Sequence, residues 1–90
     1  MKKFAMIALI ALAPAAVMAD QAASTKCRGK LNKEAGMIYD KSLPLATPDA
    51  NLRDVVTEQT RALVGANAIP MDTARPNAEA AGECLKLLRK

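Results

Sequence analysis

Apolar residues along this chain recur three and four positions apart, and nowhere do apolar and polar residues alternate over more than a few positions. That spacing predicts helices and no strands. In the closing stretch, Ala80, Ala81, Cys84, Leu85, Leu87 and Leu88 fall on one side of a helix, with Glu79, Glu83, Lys86 and Lys90 on the other. The predicted helix covers about 73–89, with Asp72 as N-cap and Pro76 in the first turn. Nearer the start, Cys27, Leu31, Ala35 and Ile38 lie within an arc of roughly 80°. They predict a helix over about 25–42, capped by Ser24 or Thr25, in which Gly29 and Gly36 each lower helicity by about 1 kcal/mol.

A middle helix over about 48–65 follows from Leu52, Val55, Val56, Ala62, Leu63 and Ala66, broken by Gln59. Thr47 as N-cap and Pro48 at the first helical position give its start. Gly65 or Asn67 gives a left-handed cap at its end, and Asp49 with Arg53 and Glu58 with Arg61 are spaced to pair on its wet side. Pro44 and Pro48 make residues 42–49 a loop beneath which Leu43 and Leu45 can pack. The expectation is an all-α fold, a small three-helix bundle.

The first 19 residues follow a different pattern. Lys2 and Lys3 precede the apolar run Phe4 to Ala13, and Val17-Met18-Ala19 ends in small residues, the signature of a signal peptide cleaved after Ala19. The apolar run stops at Pro14, short of the roughly 20 residues that span a bilayer. The expected organisation is therefore a leader at 1–19 and one helical domain at 20–90. Without the leader, 30 of 71 residues are apolar and the formal charge falls from +4 to +2, so the basic balance argues only weakly for polyanionic partners.

An exported chain reaches an oxidising compartment, here the periplasm or, as the alternative, the medium. Its two cysteines, Cys27 and Cys84, then most simply form one intramolecular disulfide, and a monomer is expected over a disulfide-linked dimer. Closing a 58-residue loop removes about 4 kcal/mol of unfolded-state entropy. That is a large share of the stability a domain this small can reach.

The sequence is poor in catalytic chemistry. It contains no histidine, which removes Ser-His-Asp and Cys-His nucleophiles and the usual imidazole ligands. The cysteines form no CxxC motif, and the four glycines form no phosphate loop. Asp54 with Glu58 and Glu79 with Glu83 are carboxylate pairs at helical spacing, expected on solvated faces. Met37 and Met71 are too few for a copper motif. No catalytic, cofactor or metal residue is expected. Lys26, Arg28, Lys30 and Lys33 form the one dense basic cluster, a candidate surface for a partner or an anionic membrane. With one tyrosine and no tryptophan, nucleic-acid binding is not expected. The make-up of short leader, helices and one disulfide resembles that of many small exported bacterial proteins. The expected function is non-enzymatic binding of a protein partner, with envelope or polyanion binding through the basic cluster as the alternative.

Overall fold

The computed structural model describes residues 15–89, with side chains from residue 20 onward. The charged and apolar regions of the expected leader lie outside the described residues. Four α-helices follow in order among those described: α1 (Ala15–Arg28), α2 (Lys33–Ser42), α3 (Leu52–Gly65) and α4 (Ala74–Lys86), with 3-10 turns at Leu43–Leu45 and Leu87–Arg89. The described chain is all-helical. The expected three-helix arrangement is corrected in one place: the helix over 25–42 is two helices.

The break lies at Gly29 to Asn32. Basic Lys26 and Arg28 occupy the last turn of α1, and Lys30 and Leu31 turn back to bond the Cys27 and Arg28 carbonyls. Asn32 then restarts the chain. Its side-chain oxygen accepts from the Ala35 amide at 2.8 Å as the N-cap of α2, while its amide nitrogen donates to Asn77 of α4 at 2.9 Å. One residue thus ends the turn, starts a helix and fixes that helix to another. Residues 27, 31, 35 and 38 keep their common apolar side across the break, with Leu31 packed on the core and Ala35 and Ile38 buried. Spacing alone therefore did not reveal it. Ser24 and Thr25 do not cap a helix; α1 begins upstream of both.

Helix α3 starts at Leu52, four residues later than Pro48 implies, because Asn51 is the N-cap and accepts from the Asp54 amide. Thr47 to Ala50 forms a turn instead, with the Ala50 amide on the Thr47 carbonyl. Arg89 donates to the carbonyls of Thr47 and Ala50, so the end of the described chain holds that turn. The expected pairs Asp49–Arg53 and Glu58–Arg61 do not form ion pairs. Leu43 and Leu45 are 41% and 48% exposed and do not pack beneath the loop.

At the far end of α3, Asn67 takes the left-handed conformation at φ 60°, where Gly65 was the first expectation. Ala68 bonds back to Leu63 at 2.8 Å and Asn67 to Val64 at 3.0 Å, a Schellman closure. The chain then descends through buried Ile69 into α4, where Thr73 rather than Asp72 holds the N-cap position.

The core joins α2, α3 and α4: Ile38, Tyr39, Val56, Leu63, Ile69, Ala81, Cys84 and Leu85. Ile38 and Leu85 are fully enclosed, and each contributes roughly 1.5–3 kcal/mol. On α4, Ala81, Cys84 and Leu85 are buried and Glu79, Glu83 and Lys86 exposed, as the periodicity predicts. Helix α1 packs against α4 and the final 3-10 turn. The Cys27–Cys84 disulfide joins the two, with Cα atoms 5.3 Å apart.

Candidate functional site

Beside the disulfide lies a buried polar relay that the sequence did not announce. Ser24 is fully enclosed, and its hydroxyl donates to the Cys84 carbonyl at 2.8 Å. A serine has one hydroxyl proton, so the 2.8 Å contact with the Tyr39 hydroxyl must run the other way, with Tyr39 donating to Ser24. The Cys84 carbonyl also receives the Leu87 amide as the last helix tightens into its 3-10 turn. Every polar atom in this cluster has a structural partner. It is a clamp joining α1, α2 and α4.

The basic cluster divides on inspection. Lys26, Lys30 and Lys33 are exposed around the α1–α2 turn. Arg28 is committed to a surface ion pair: its Nε and Nη2 grip the two carboxylate oxygens of Asp40 at 3.1 and 2.8 Å. These hydrogen bonds, more than the bare charge, hold the Asp40 carboxyl below the usual carboxylate range and push Arg28 higher. The guanidinium lies over buried Gly36, where a Cβ would sit 2.7 Å from Nη1. Gly36 thus accommodates an ion pair rather than a neighbouring helix. The cluster presents three lysines to solvent, with Asp40 neutralising the arginine.

A larger surface lies between α3 and α4, on the side lined by neither α1 nor α2. It is a groove of about 700 Å³. Leu52, Val56 and Thr60, one turn apart on α3, and Ala78 and Gly82 on α4 form its floor. Arg53, Thr57 and Arg61 form the α3 rim, and Arg75, Glu79 and Glu83 the α4 rim, again at one-turn spacing. Lys86 pairs with Glu83 at 3.1 Å, while Arg53, Arg61 and Arg75 have no ion-pair partner among the described residues. Set against protein-family models, curated proteins and solved structures, the chain matches none.

Sequence reasoning assigned Arg53 and Arg61 to the wet side of their helix, and missed that this side borders an open groove. The available signal was their eight-residue spacing with Thr57 between, a straight row on one helix. The described residues hold no group of three or more His, Cys, Asp or Glu placed to grip a metal ion. No described helix is long and apolar enough to cross a membrane.

Proposed function

We propose that this is a non-enzymatic exported protein of the periplasm that acts by binding a protein partner. The observation that carries this reading is the α3–α4 groove, an open cleft with a mainly apolar floor and charge-bearing rims on a disulfide-closed scaffold. The disulfide accords with an oxidising compartment, and the absence of histidine removes the commonest general base. The test is affinity capture by the oxidised chain from an envelope fraction, coupled to deletion of its gene. A specific partner whose loss reproduces the deletion phenotype is the expected result. A capture that yields no partner, with a deletion that yields no phenotype, would refute the reading. Mass spectrometry of the exported protein without reductant checks the address: the expected mass begins at Asp20 and lies two hydrogens below the reduced chain.

A second reading is favoured by the exposure of Lys26, Lys30 and Lys33 around one turn: contact with an anionic envelope surface. It requires vesicle binding that weakens with salt. Charge reversal of the three lysines leaving that binding intact would remove it.

A further inference from the structure

We propose that the α3–α4 groove receives an amphipathic helix of the partner, one edge of which carries two carboxylates seven or eight residues apart. The inference rests on the partner-binding reading and specifies its occupant. Two adjacent helices of a bundle leave a furrow whose shape suits a third helix, and here α2 fills the furrow on the other side of the pair. The residues lining the outer furrow form rows one turn apart on both helices.

The charges select the occupant. Arg53 and Arg61 stand about 12 Å apart along α3, eight residues at 1.5 Å each. Between them is Thr57, so the α3 rim carries positive charge at both ends and no carboxylate. Neither arginine is neutralised within the described chain. A helix laid along the floor meets this rim with one edge, and carboxylates two turns apart on that edge face both arginines, as edge charges pair in coiled coils. The α4 rim is mixed: Arg75 is unpaired, Glu83 is held by Lys86, and Glu79 lies between them. It favours a partner edge carrying a base opposite Glu79 and an acid opposite Arg75. The two edges differ, so the groove also fixes the direction of the incoming helix.

Gly82 marks the floor. A Cβ there meets nothing within 4 Å, so no packing inside the chain requires a glycine. Its place in the middle of a helix costs about 1 kcal/mol relative to alanine. Its effect is to leave the floor low between Ala78 and the α3 row. A Cβ at this position enters open space on the groove side of α4.

The experiment pans a displayed library of randomised helical peptides, about fourteen residues to match the length of α3, against the oxidised chain. The enriched peptides are expected to carry an apolar stripe with Asp or Glu seven or eight residues apart on one edge. Gly82→Phe is expected to lower their affinity at least tenfold while leaving the thermal melt unchanged or higher. Arg53→Glu together with Arg61→Glu is expected to turn the enriched edge from acidic to basic. Enrichment without the acidic edge, or binding indifferent to Gly82→Phe, overturns the proposal. If the partner captured from the envelope binds Gly82→Phe as well as the parent, the groove assignment fails and the partner-binding reading survives. Two further outcomes also overturn the helical occupant. One is anionic-lipid vesicle binding that Gly82→Phe abolishes, and the other is self-association that it abolishes.

Discussion

Ser24→Ala breaks both 2.8 Å bonds of the buried relay at once, and the consequences for its two neighbours differ. The Cys84 carbonyl keeps the Leu87 amide, so its loss is that of one ordinary hydrogen bond, about 1 kcal/mol. The Tyr39 hydroxyl, on a residue only 4% exposed, is left with no acceptor, which costs a further 1–3 kcal/mol or so. The expected total is about 2.5 kcal/mol, or a fall in Tm of roughly 10–20 °C for a domain of this size. Tyr39→Phe removes the donor but leaves Ser24 bonded to Cys84, and is expected to cost about 1 kcal/mol. In the double variant no hydroxyl is orphaned, and the cost is about 2 kcal/mol rather than the sum of the two. Urea denaturation of the oxidised chains, followed by circular dichroism with unchanged m-values, measures the cycle. Additivity within about 0.3 kcal/mol, or a smaller loss from Ser24→Ala than from Tyr39→Phe, would refute the proton order Tyr39 to Ser24 to Cys84.

Three further outcomes are expected. Cys84→Ser, or reduction of the bridge, destabilises the fold by about 4 kcal/mol through the freed 58-residue loop; an unchanged melting temperature with lost function would instead make Cys84 a reactive thiol. Ser42→Ala is neutral or stabilising by about 1 kcal/mol, because the Ser42 hydroxyl is buried without a hydrogen-bond partner; a loss above about 1 kcal/mol in denaturation would contradict this. Gly36→Ala pushes the Arg28 guanidinium off its seat, so the lowered Asp40 pKa returns toward 3.8, read by NMR titration of the carboxyl. Because the folded Asp40 pKa is the lower one, the pair stabilises above that ordinary value and its contribution fades as pH falls through the folded pKa. Asp40→Asn is expected to flatten that part of the acid limb, modestly, since the carboxylate is mostly exposed.

Periodicity and cysteine content carried most of the architecture: the apolar face of α4, the body of α3 and the pairing of Cys27 with Cys84 are all visible in the sequence. What stayed hidden depended on contacts between distant residues. Thr47-Pro48 is a good helix start in isolation, and Asn51 prevails where Arg89, far along the chain, bonds the 47–50 carbonyls into a turn. Gly29 and Asn32 are both residues that punctuate helices, but the helical spacing of residues 27, 31, 35 and 38 runs through them. Asn32 declares itself as a cap only once its amide meets Asn77. Ser24 reads as a candidate helix cap because nothing local shows that Tyr39 and the Cys84 carbonyl converge on it. The candidate groove was the least legible feature: arginines on an exposed helix face read the same whether the neighbouring surface is flat or furrowed.

The position of the disulfide also bears on the order in which the chain can mature. Cys27 precedes α2 and α3 entirely, while Cys84 lies in the last turn of α4 before Lys86. A chain that emerges from its N-terminus therefore carries a lone thiol over the 57 positions that separate the two cysteines, and the ring cannot close until the final helix arrives. With only two cysteines there is no wrong intramolecular partner to exchange, so maturation calls for an oxidant but no disulfide isomerase. The hazard in the interval is capture of Cys27 by a thiol or disulfide of another molecule.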